Sequence, residues 1–172
     1  MWSSERSRRA LLGAALLAPV AAPLAGCGFK LRQPPVLAFS TIQLAGFQPR
    51  SAFIEALRRS IEASGATRVV ETPAQAQVVL ETIEEARDRV VSAQTAAGQV
   101  RDLTLRSRFT FRLRTPAGRV LIRDTPLILE RPLSFNETQA LAKEQEEATL
   151  YRAMQADIVD QVMRQLAAVP PP

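Results

Sequence analysis

"LTLRSRFTFRLR", residues 103–114, alternates side-chain character at every position. Leu103, Leu105, Ser107, Phe109, Phe111 and Leu113 take one side. Thr104, Arg106, Arg108, Thr110, Arg112 and Arg114 take the other. Successive side chains of a strand point to opposite faces, so the pattern predicts a strand with one buried and one wet face. The loop "TAAGQ" (95–99) precedes it, and before that "QVVLETIEEARDRVVSA" (77–93) reads as a second long strand. Its Glu-rich middle could pass for helix, but Val78, Leu80, Val90 and Val91 do not form one helical face. "TPAGR" (115–119) turns the chain into a further strand, Val120 to Glu130, where Pro126 predicts an edge position or a bulge.

Outside these three strands the chain supplies one more strand and two helices. "VLAFSTIQLAG" (36–46) is β-branched and apolar and predicts the first strand. In "SAFIEALRRSIEASG" (51–65), Phe53, Ile54, Leu57 and Ile61 fall at helical spacing, with Ser51 as N-cap and Gly65 as stop. A connection follows, with a short extended piece at Arg68 to Val70. From Asn136, a second capping residue, a long helix carries the apolar stripe Leu141, Leu150, Met154, Ile158, Val162 and Leu166. The order β-α-β-β-β-α predicts a two-layer α+β domain over residues 36–168, with two helices on one face of a four-stranded mixed sheet and one parallel pair. The arginine face of the sheet is left to solvent or a partner. Residues 169–172 form a Pro-rich tail.

The chain starts differently. Arg6, Arg8 and Arg9 precede an apolar stretch, Ala10 to Leu24, broken by Gly13, Pro19 and Pro23. This is the layout of a secretory signal peptide over residues 1–26, too short for a membrane span of about 20 residues. Leu24-Ala25-Gly26-Cys27 resembles a bacterial lipobox. The resemblance implies cleavage before Cys27 and acylation of its thiol and new amine, with residues 27–35 as a lipidated tether. Gly28 in place of aspartate implies sorting to the outer membrane, facing the periplasm. "SRRALL" (7–12) loosely resembles a twin-arginine signal, so the export route stays open.

Composition narrows the chemistry. The 146 residues after the signal keep 19 basic and 16 acidic side chains, a net +3, too little to call for nucleic acid. Cys27 is the only cysteine, so once it is lipidated no disulfide supports the domain. Histidine is absent, which removes the commonest general base and metal ligand. No zinc spacing, Gly-rich phosphate loop or nucleophile elbow is present. Neither metal nor cofactor is expected.

Three stretches together resemble the LptE family of lipopolysaccharide-assembly lipoproteins: "CGFKLR" (27–32), "AAGQVRDLTL" (96–105) and "NETQALAKEQEEATLYRAM" (136–154). The resemblance implies a non-enzymatic lipoprotein that plugs an LptD-like outer-membrane β-barrel and enables lipopolysaccharide insertion into the outer leaflet. It also implies that lipopolysaccharide is bound through basic side chains. Ala140-Leu141-Ala142-Lys143 matches the family segment whose lysine has that role, so Lys143 is carried over. The family's companion basic residue falls at Ala96 or Ala97 here, and Arg101 is the nearby substitute. Without that role Lys143 is a solvated lysine paired with Glu147. The stripe Arg106, Arg108, Arg112 and Arg114 has two readings: cross-strand pairing with Glu84, Asp88 or neighbours, or contact with acidic barrel-lumen residues or lipid A phosphates. Glu144, Glu146 and Glu147 read as a solvated helix face. Two other functions compete: an auxiliary lipoprotein of an envelope ABC-type lipid transporter, and a lipid-anchored hydrolase. The missing histidine and nucleophile motif count against the hydrolase.

Overall fold

The computed structural model describes residues 35–48, 51–135 and 140–172. Cys27 and Asn136 lie outside them. The elements are β1 (Thr41–Ala45), α1 (Ala52–Ala63), β2 (Arg68–Val70), β3 (Val78–Gln94), β4 (Val100–Arg114), β5 (Val120–Ser134) and α2 (Ala140–Ala167). The strands form one sheet in the order β2-β1-β3-β4-β5. β1 runs parallel to both β2 and β3, while β3, β4 and β5 are antiparallel.

The fold class and element order agree with the sequence reading, but the sheet has five strands rather than four. The added strand is the extended piece Arg68–Val70. Three residues are too few to display a period. What makes them a strand is β1: Arg68 N donates to Ser40 O at 2.9 Å, and Thr67 Oγ1 to Phe39 O at 2.6 Å. This adds a second parallel pair. β1 is also shorter than residues 36–46, because its neighbours begin opposite Thr41 and Ile42 and offer nothing to pair with before that. Leu37 and Phe39 still enter the core.

The two hairpins share one turn. Thr95 O accepts from Gly98 N at 2.9 Å and Thr115 O from Gly118 N at 2.9 Å, and each threonine Oγ1 accepts from the amide four residues on at 3.1 Å. Both glycines have positive φ, which a side chain would resist. β5 is an edge strand. Pro126 and Pro132 stand opposite Thr110 and Thr104 in an unbroken stretch of register. Six positions apart, they turn the same way, and a residue without an N–H fits only where the backbone faces outward.

β4 buries Leu103, Leu105, Ser107, Phe109, Phe111 and Leu113, the side read from the alternation. α1 starts at Ser51, whose Oγ accepts from Phe53 N at 3.1 Å, and it buries Phe53, Leu57 and Ile61. Phe53 meets Phe109 with ring centroids 4.2 Å apart. α2 brings Ile158, Val162 and Leu166 onto the same core, while Met154 covers Leu103, Leu105 and Leu133. Leu141 does not join the stripe and is 78% exposed. Nine positions before Leu150, at 100° per residue, it points half a turn away.

Gly46 has φ +78, and a Cβ there would meet Thr82 O at 2.6 Å, beside the bulge between Thr82 and Glu84. Strain and overlap act together, so Gly46→Ala is expected to cost ~2 kcal/mol or more. A denaturant midpoint equal to that of the parent would refute this.

Candidate functional site

The register sends the arginines of β4 to the face opposite the helices. There they find carboxylates. Arg106 Nε lies 2.7 Å from Glu130 Oε1, and Arg114 Nη2 lies 2.6 Å from Glu81 Oε1. Arg112 holds Asp124 with two hydrogen bonds. Arg108 sits between Glu84 at 3.3 Å and Asp88 at 3.5 Å. That second contact is electrostatic only, since Asp88 Oδ1 and Arg108 Nε have no hydrogen bond. Hydrogen bonding to Arg112 lowers the Asp124 carboxyl below its ordinary value and raises the guanidinium. Exposed pairs of this kind contribute little to stability, because solvent screens them. Their larger effect is on availability: every arginine of the stripe already has an acidic neighbour. Ile83, Val120 and Ile128 are exposed large apolar residues of β3 and β5.

Lys143 approaches from α2 rather than from the sheet. Its ammonium reaches Ser134 Oγ at 3.2 Å and Glu146 Oε2 at 2.9 Å, and only 16% of the side chain is exposed. The partner is thus Glu146, not Glu147, which pairs with Arg89 at 3.4 Å instead. Arg101 is nearby in the fold: its carbonyl accepts from Phe135 N at 2.7 Å, next to Ser134. Lys143 and Arg101 therefore flank the same end of β5, where β4 starts. Arg106, the stripe residue nearest that end, is about 13 Å farther along β4 from Asp102, the partner of Ser134.

A third surface was not singled out in the sequence. α1 begins beside Glu85, where Ser51 Oγ donates to the carboxylate at 2.7 Å, and runs back toward the start of β3. Twelve residues of helix cover about 18 Å. The seventeen residues of β3 span about 56 Å. Past Glu85, among the described residues, only α2 flanks this side of β3, and a groove of about 670 Å³ opens there. Arg87 and Arg89 project from β3, while Glu144, Glu147, Tyr151 and Arg152 line it from α2. The Arg87 guanidinium lies 5.5 Å from the Tyr151 ring centre, and Tyr151 OH donates to Asp88 O at 2.9 Å. Burial, then the charges of Glu147 and Asp88, push the phenol pKa up. The signal that could have found this surface is "ARDRVV" (86–91), with arginines two apart on a strand.

Among the described residues no helix is long and apolar enough to cross a membrane, and no cluster of acidic residues could hold a metal ion. Comparison with curated proteins finds no match. Among solved structures, lipoprotein B from Nitrosomonas europaea is similar at 30% identity and TM-score 0.70, over 82% of this chain and 91% of that one. The rare lipoprotein B of Shewanella oneidensis shares the fold at 17% identity and TM-score 0.64, over 75% of this chain and 95% of that one. A minor lipoprotein of Acinetobacter baumannii shares it at 18% identity and TM-score 0.62, over 78% and 96%. A family model described as LptE, lipopolysaccharide-assembly, matches residues 39–166, from the segment before β1 nearly to the end of α2. The chain belongs to the LptE lipopolysaccharide-assembly family, a family of non-enzymatic lipoproteins.

Proposed function

We propose that this chain is an outer-membrane lipoprotein, anchored through Cys27 and facing the periplasm. It assembles with an LptD-like β-barrel, plugs it, and enables lipopolysaccharide to reach the outer leaflet. The family match across the whole folded domain carries this reading. The geometry supports a division of labour between surfaces. The open sheet face, with Arg106, Arg108, Arg112 and Arg114 already paired to acids, suits a polar barrel wall. Lone anions gain little there, because each carboxylate offsets the charge that would attract them. Arg101, which meets no carboxylate among the described residues, suits lipopolysaccharide phosphates at this end of β5, standing in for the basic residue absent at Ala96 and Ala97, and Lys143 beside it joins by releasing Glu146.

The test is detergent extraction of the tagged full-length protein and identification of what co-purifies. A large outer-membrane barrel is expected in stoichiometric amount. Recovery of an inner-membrane permease complex instead would favour the transporter-lipoprotein reading and overturn this one.

A further inference from the structure

We infer that the groove between β3 and α2 is a receptor for a phosphorylated sugar headgroup. The inference rests on the lipopolysaccharide reading above and assigns part of the ligand to a surface distinct from the Lys143 end. The contrast between two sets of arginines carries it. Each guanidinium of the open-face stripe meets a carboxylate. In the groove, among the described residues, Arg87 bonds only Gln155 Oε1 and lies over Tyr151. Arg152 turns back on its own helix, to Ala148 O at 3.2 Å and Thr149 Oγ1 at 3.0 Å. Neither meets a carboxylate among the described residues. Arg89 touches Glu147 at 3.4 Å and keeps 60% of its side chain exposed. Guanidinium groups take phosphate oxygens through paired N–H donors, and those not already holding a carboxylate do so at least cost.

The acids decide what kind of phosphate. Asp88 lines the groove, but its carboxylate is held near Arg108 on the other face of the sheet. Glu144 and Glu147 remain in the groove wall. They would repel a bare dianion. They would also accept hydrogen bonds from the hydroxyls of a sugar that carries the phosphate. Three arginines and two carboxylates around a volume of about 670 Å³ therefore favour a polyhydroxylated phosphate over a free one.

Tyr151 is the only tyrosine of the chain, and its ring forms part of the groove wall. In the full-length protein with ¹³C-labelled tyrosine, held in detergent, its ring signals report on this site alone. Titration with glucosamine 1-phosphate is expected to shift them at least about tenfold more tightly than titration with inorganic phosphate. Arg87→Gln with Arg152→Gln is expected to weaken that binding by about tenfold or more, since charge-assisted hydrogen bonds are lost. Ala148→Glu, which adds a carboxylate to the groove, is expected to do the same. Arg68→Gln, at an exposed arginine of β2, should leave it unchanged. Equal response to inorganic phosphate means an adventitious anion site and overturns the assignment. So does a Tyr151 signal that stays still under the sugar phosphate, or one that shifts equally in the double variant. Barrel co-purification from the same preparations separates the two readings: a wild-type protein that brings down no barrel refutes the assembly role, whatever the groove does.

Discussion

Phe109→Asp is expected to leave the domain unfolded in water, while Thr110→Asp, one residue on, folds and loses no more than about 1 kcal/mol. Phe109 is 1% exposed and lies among Phe47, Phe53 and Phe111. Deleting a buried phenylalanine side chain alone costs about 3–5 kcal/mol. An unpaired carboxylate in the same place adds several more. Its cross-strand partner is Glu85, so the new charge would also meet a like one. Domain stability is only about 5–15 kcal/mol, and the total loss is of that size. Thr110 faces the other way, between Arg108 and Arg112 on β4 and opposite Glu84 and Pro126. Circular dichroism with urea titration of the two variants reads the difference directly. Equal midpoints would mean that the faces of β4 are assigned the wrong way round.

Cys27→Ala is expected to abolish acylation of the protein altogether. The proposed anchor is acyl chain alone: each buried methylene contributes about 0.8 kcal/mol, and two or more chains hold stably. Labelled fatty acid should appear on the parent protein and not on the variant, which should accumulate as uncleaved or soluble precursor. The same experiment judges the lipobox itself, because a parent that takes up no label has no lipid to lose.

Much of the fold could be read from β4, because a half-buried strand writes its burial into every second residue. β2 could not be read that way. Three residues carry no period, and their place is set by hydrogen bonds to β1. Leu141 shows the converse error, an apolar residue counted into a stripe whose phase it does not share. The site was harder for another reason. Alternation tells which face Arg106 or Arg112 takes, but only register tells that Glu130 and Asp124 stand beside them. Likewise nothing local to Arg87 or Arg89 says that α1 stops short of them. That follows from comparing the length of a helix with the length of a strand two elements later. Lys143 came from family resemblance, and its chain position alone did not reveal its contact with Ser134.

Pro126 and Pro132 bear on what can pair with the edges of this sheet. An open strand edge is a template: any extended chain with free backbone groups can copy onto it, and then another onto that. On β5 two of the outward donors are missing, and at the other end of the sheet β2 offers only three residues. A second molecule therefore finds no long row of hydrogen bonds to extend at either end. The domain thus resists polymerising with its own kind through its strand edges, and its broad sheet face stays open.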